Sequence, residues 1–235
     1  MSHLLHVTKQ RFVRILLAGG LVTGGLCAPA LLAAGTAQAD TLPCGSSIAA
    51  GTVCAVSGSV QLTPGPLTLT APPALAWWGA ANGFDLHLED VTAGQQSYVV
   101  DDATGTGAGW HVTASATPFA TGDAAPFNSL PNTGTLSTNG GTTYGASTAP
   151  TAVCSDGATC TLPVNDTAYP VPITTDGTAS TIYDSATSNG FGSIIVGGGA
   201  DPVGWWLNVP ANTPLAPTGL STYQSTITLQ IISGP

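Results

Sequence analysis

Asp85, His87 and Glu89 stand two residues apart, the spacing that puts three side chains on one face of a β-strand. An imidazole between two carboxylates can hold a cation or respond to pH. The commoner use of such a face is contact with water, and His111, between Trp110 and Val112, reads the same way. Glycoside hydrolysis would need two carboxylates across a sugar cleft. The nearest pairs are Glu89-Asp90 and Asp101-Asp102, and neighbours on a strand diverge, so turn-forming roles suit them better. Asp101-Asp102-Ala103-Thr104-Gly105 also lacks the spacing of a calcium loop. Serines are numerous, but none lies in a Gly-x-Ser-x-Gly elbow that would expose a nucleophile. A carboxylate-dependent carbohydrate hydrolase is therefore the weakest function class, and the chain reads as non-enzymatic.

Charge removes further chemistries. The three cations are Lys9, Arg11 and Arg14, and all twelve acids lie at or beyond Asp40. Residues 40–235 thus carry twelve negative charges and no Lys or Arg. Nucleic acid has no cation to meet. Phosphoryl transfer lacks its usual clamp, Schiff-base chemistry lacks its lysine, and anionic lipid has no basic patch to attract.

Those cations begin a tripartite N-terminus. Residues 1–14 are polar, Ile15–Leu32 is apolar and rich in Gly and Ala, and Ala37-Gln38-Ala39 fits small-x-small cleavage. Residues 1–39 are expected to be an export signal, with Asp40 first in the mature chain. Cys27, inside the apolar run and preceded by Leu26, leaves with it. Four cysteines remain, an even number that reads as disulfides in an exported chain. Of the three possible connectivities, the local one, Cys44–Cys54 with Cys154–Cys160, closes the shortest loops and is expected. No CxxC occurs and only His87 and His111 remain, so no metal or other cofactor is expected.

The elements that must position these residues are short. Gly, Pro, Thr and Ser interrupt the chain every few residues, and no run has helical periodicity. Alternating runs fall at Leu67–Thr70, Phe84–Glu89, Tyr98–Asp101, Trp110–Ala114, Trp205–Val209 and Tyr223–Ile231. In the last, Tyr223, Ser225, Ile227, Leu229 and Ile231 share one face, and Thr226, Thr228 and Gln230 the other. The expected fold is all-β: antiparallel sheets in a sandwich-like arrangement, one domain over residues 40–235. A loop-rich insertion is expected near residues 117–151, where large apolar residues are scarce. Pro163–Pro172, with three prolines, suits an edge strand or a connection. On strands, one indole of Trp77-Trp78 and one of Trp205-Trp206 should face outward, able to stack on a sugar or bind another chain unless loops cover it.

Three segments together resemble the WxL domain of Gram-positive surface proteins. Pro66-Leu67-Thr68-Leu69-Thr70-Ala71-Pro72 is similar to the family's early strand and proline-bounded turn. Val99–Gly105 followed by Gly109-Trp110-His111-Val112-Thr113-Ala114 is similar to its strand, Asp, Gly-turn and Gly-Trp-x-Leu signature, with Val112 where Leu is usual. Leu207-Asn208-Val209-Pro210 and then Thr222–Ile231 are similar to its C-terminal strand, with Leu229 at the second Trp position and Ile231 at the Leu position. The resemblance implies a secreted β-sandwich-like domain, associated with the cell wall without a covalent bond, with peptidoglycan or other wall glycan and partner surface proteins as ligands. The residues expected to bind wall or partner are Trp110, Val112, Trp205, Trp206, Tyr223, Leu229 and Ile231. The low charge and the abundance of Thr, Gly and Ala equally fit a subunit of an extracellular fibre or coat. Leu130-Pro131-Asn132-Thr133-Gly134 spells a sortase pentapeptide but precedes no apolar span or basic tail. The last apolar run is too short for a membrane helix, so no membrane anchor is expected in the mature form.

Overall fold

Thirteen strands and no helix make up the regular structure of the described residues, which in this computed structural model are 42–43, 54–55, 58–121, 128–215 and 222–235. The chain divides into two compact units, Met1–Val60 and Gln61–Pro235. In the first, β1 (Leu42–Pro43) pairs in parallel with β2 (Cys54–Ala55). The expected export signal and Cys44, and with Cys44 its bridge to Cys54, lie outside the described residues.

The second unit holds three antiparallel sheets. The first has the order β3 (Leu67–Thr70), β5 (Tyr98–Asp102), β11 (Gly192–Val196), β8 (Ala152–Cys154). The second runs β4 (Leu86–Glu89), β12 (Val203–Val209), β7 (Leu136–Gly140), β9 (Val171–Ile173). The third runs β10 (Ser180–Ser185), β6 (Trp110–Ala116), β13 (Ile227–Ser233). The β13 strand lies against β3, and β10 against β9, so these four sheet edges meet each other, while β4 and β8 are the other two edges. That arrangement shields backbone groups that an isolated edge would offer to other chains.

Alternation in the sequence explains the single core. Tyr98 and Val100, Trp110, Val112 and Ala114, Val203, Trp205 and Leu207, and Ile194 and Val196 each occupy every second position and all turn inward. In β13, Ile227, Leu229 and Ile231 pack against this core while Thr228 and Gln230 face solvent. A bulge between Thr181 and Tyr183 lets the consecutive residues Ile182 and Tyr183 both be buried. The Cys154–Cys160 disulfide forms as expected, its Cα atoms 5.6 Å apart, and ties the end of β8 to the segment that follows.

The loop-rich insertion expected near residues 117–151 is corrected in part. It contains β7, an interior strand between β12 and β9, in which Leu136, Thr138, Asn139 and Gly140 are buried. Only one of its residues is large and apolar, so the alternation that marks the other strands is missing. Pro172 stands in β9, an edge strand, where its lack of an N–H costs no internal ladder bond.

Buried phenols set the alkaline limit of this core. Burial, helped by Asp184, pushes Tyr183 from 10.0 up to about 12. Burial also raises Tyr98 and Tyr169, with smaller contributions from neighbouring tyrosines. The stability tied to these neutral phenols is intact below pH 10, where unfolded tyrosine is also protonated; the part due to Tyr183 is lost as pH rises through about 12, and the parts due to Tyr98 and Tyr169 at still higher pH. Tyrosinate absorbance from these three side chains is therefore expected to grow together with loss of the far-ultraviolet sheet signal. Their ionisation in a chain that keeps its sheet signal would contradict this packing.

Candidate functional site: an aromatic platform on the second sheet

Register on the second sheet brings one set of side chains to its outer face. Trp206 lies opposite Glu89 on β4 and Ser137 on β7, Asn208 opposite His87, and Gly204 opposite Asn139. Cross-strand partners share a face, so these residues form a patch on the side away from Trp205 and Leu207. A Cβ on Gly204 would come within 2.8 Å of the Trp206 Nε1 and 2.9 Å of the Asn139 Oδ1. Glycine at this position is what lets the two side chains meet.

Asn139 organises the patch. Its Oδ1 accepts a 2.9 Å hydrogen bond from Trp206 Nε1. Its Nδ2 donates to the carbonyls of Thr143 at 2.9 Å and Ala146 at 3.1 Å. The segment after β7 is also tied by Gly140 N donating to Thr148 O and Gly141 N donating to Pro202 O. These bonds hold Tyr144 over the sheet. Its ring stacks on His87 with centroids 3.8 Å apart and planes 10° from parallel, and meets the edge of Trp206 at 5.7 Å. Tyr144 remains 40% exposed and His87 is exposed, so aromatic surface faces solvent.

Polar groups border the stack. Glu89 accepts a 3.2 Å hydrogen bond from Gln96 Nε2. Asp85 accepts one from Ala211 N. Burial, and secondarily the charge of Asp90, raises the Glu89 carboxyl above its ordinary 4.5. A raised carboxyl favours folding below its unfolded value, and that contribution is lost as pH rises through the folded value. Glu89→Gln is accordingly expected to raise the melting temperature slightly at pH 7 and to leave it unchanged near pH 3. A drop at pH 7 would show that the carboxylate stabilises the fold.

The residues expected to bind wall or partner are placed differently. Trp110, Val112 and Trp205 are fully buried, and Trp206 is 6% exposed. This corrects their assignment as ligand contacts. Val112 is the cross-strand partner of Ile231, and Leu229 of Ala114, so the signature-like positions of β6 and β13 share the inward face and pack on each other. Trp110 Nε1 donates to Gly190 O at 2.9 Å, inside the core. Tyr223 is half-buried, and its hydroxyl donates to Pro214 O at 2.6 Å. Of the paired indoles, Trp77 turns inward, donating to Trp205 O and meeting Phe119 edge-on, while Trp78 is 83% exposed. Both members of the second pair are covered, because the segment carrying Tyr144 closes over Trp206.

Asp90 and Asp102, one from each adjacent pair, accept from backbone N–H groups. Asp90 is buried and accepts from Ala76 N and Thr92 N. Asp102 accepts from Thr104 N and Oγ1. His111 and Asp184 are cross-strand partners at a cavity of about 290 Å³ on the third sheet. There the His111 Nδ1 lies 2.6 Å from Gly234 O, and the Asp184 Oδ1 accepts from Asp166 N, Thr167 N and Thr167 Oγ1. Among the described residues no group of three potential ligands is placed to hold a metal. The sortase-like pentapeptide is folded into a turn, with Leu130 buried and the carbonyl of Pro131 accepting from Thr135 Oγ1.

No family model matches the chain, and no curated protein or solved structure matches it. The geometry alone therefore indicates which surface is available to a ligand. Sequence reading passed over Tyr144. The signal for it was a lone aromatic in a Gly- and Thr-rich stretch, where no core strand was expected to need one.

Proposed function

We propose that this chain is a secreted surface protein that associates without a covalent bond with the cell wall, through peptidoglycan, partner surface proteins or both, and catalyses no reaction. The observation that carries the reading is the aromatic surface turned outward: Trp78 at 83% exposure, Phe84 at 75%, and the Tyr144–His87 stack. A surface with exposed rings and no lysine or arginine beyond Arg14 binds by stacking, apolar contact and hydrogen bonds. The export-type N-terminus and the resemblance of three segments to the WxL domain support the same reading. Mature protein is expected to pellet with purified peptidoglycan or with intact cells. Its recovery in the supernatant from both would refute the reading.

A second reading, a subunit of a fibre or coat, draws on the edge of the second sheet. The β4 strand is an edge strand, with Phe84 exposed before it and Val91 after it. Apolar side chains beside an open edge favour pairing with another chain. Sedimentation that becomes heavier with concentration, and is returned to monomer by Trp78→Ala with Phe84→Ala, would favour this reading. A strict monomer at high concentration would count against it.

A further inference from the structure

We infer that the Tyr144–His87 platform is a subsite for an uncharged pyranose ring of a wall glycan, and that anionic wall polymers are not its ligand. The inference rests on the wall-binding reading above and adds the place, the chemistry and the exclusion.

A pyranose has an apolar C–H face and a rim of hydroxyl and amide groups. The platform is complementary to both. The two rings lie face to face within 10° of parallel, so His87 backs one face of the partly exposed Tyr144 ring and the sugar would stack on its other, polarisable face. The rim can be met by the Glu89 carboxylate and the Gln96 amide, which already lie 3.2 Å apart beside the stack. The platform is also assembled in advance. The segment that carries Tyr144 is held by two hydrogen bonds donated by the buried Asn139 amide, and the Tyr144 ring by edge contact with Trp206, so binding need not order the segment.

Charge selects among wall polymers. The carboxylates nearest His87 in the chain are Asp85, just before β4, and Glu89, at the end of β4, one on each side of it. No lysine or arginine occurs beyond Arg14 to offset them. A phosphate- or uronate-bearing chain would bring like charge against these acids. An N-acetylated or simple neutral hexose chain would bring none.

The test uses the full mature chain and three probes: soluble N-acetylglucosamine oligomers, peptidoglycan stripped of its phosphate polymers, and those phosphate polymers in isolation. Wild type is expected to bind the first two and not the third. Tyr144→Ala and His87→Ala should each weaken binding about tenfold, and Tyr144→Phe should stay near wild type, since a stacking contact does not use the hydroxyl. Unchanged melting temperature and near-ultraviolet dichroism in Tyr144→Ala would exclude a general loss of structure. If Tyr144→Ala and His87→Ala bind stripped wall like wild type, this site is overturned while wall binding stands. Wild type that binds the oligomers through Tyr144 but not the wall would uphold the site and remove the wall reading. Wild type that binds neither neutral probe, or prefers the phosphate polymer, overturns the inference.

Discussion

Asn139→Ala is expected to destabilise the fold by about 3 kcal/mol and to remove glycan binding together with the order of the Tyr144 segment. The side chain makes three hydrogen bonds from a fully buried position. Its loss leaves the Trp206 Nε1–H inside the protein without its acceptor, and an orphaned buried donor costs more than a typical hydrogen bond contributes. The carbonyl of Thr143, an exposed residue, can turn to water, so the penalty concentrates at the indole. In a unit of this size such a loss corresponds to a fall in melting temperature of about 6–12 °C. Asn139→Asp separates the two roles. The carboxylate can still accept from Trp206, but it cannot donate to Thr143 and Ala146 and brings a charge into a buried position. Urea unfolding measures the first effect and titration with the oligomer probe the second. An Asn139→Ala chain that unfolds at the wild-type midpoint would show that the amide is not the clamp.

The contrast between β13 and β7 shows what was readable in the sequence. In β13 the alternating Ile227, Leu229 and Ile231 predicted the buried face, and the structure places them there, because period two and apolar bulk point the same way. In β7 the buried residues after Leu136 are Thr138, Asn139 and Gly140, none of them apolar in bulk and the last two of types that favour turns. Their backbone is held by β12 and, as far as Thr138, by β9, and the Asn139 side chain finds partners both in the segment that follows and at Trp206, far off in sequence. Trp206 illustrates the same limit. Strand alternation sent one indole of the Trp205-Trp206 pair away from the core without saying which; it is Trp206, and its cover comes from a segment about sixty residues earlier that meets it only in three dimensions. The platform was half legible: His87 and Glu89 were recognised as sharing an outward face, whereas Tyr144 could be placed above them only once Asn139 was known to hold its loop.

Trp110→Ala is expected to cost about 3–5 kcal/mol, the range for truncating a fully buried large side chain. The indole is 0% exposed, lies 6.1 Å from the Tyr183 ring, and donates to Gly190 O. Trp110→Phe tests the hydrogen bond apart from most of the bulk. It keeps an aromatic in the core but leaves the Gly190 carbonyl unpaired, at a cost of about 1–3 kcal/mol. Gly190→Ala approaches the same contact from the other side. Gly190 has φ +73°, and a Cβ there would collide with Ser185 Oγ and come within 2.5 Å of Trp110 Nε1. All three substitutions should lower the urea midpoint, with Trp110→Ala lowest. Their folded fractions should bind stripped wall like wild type, because no ligand can reach a side chain with no exposed surface. This outcome separates the two readings of a tryptophan at a signature-like position. If it is structural, stability falls and affinity per folded molecule stays constant. A Trp110→Phe chain of wild-type stability with weakened wall binding would instead make Trp110 a ligand contact, and would require β6 to open in the bound state.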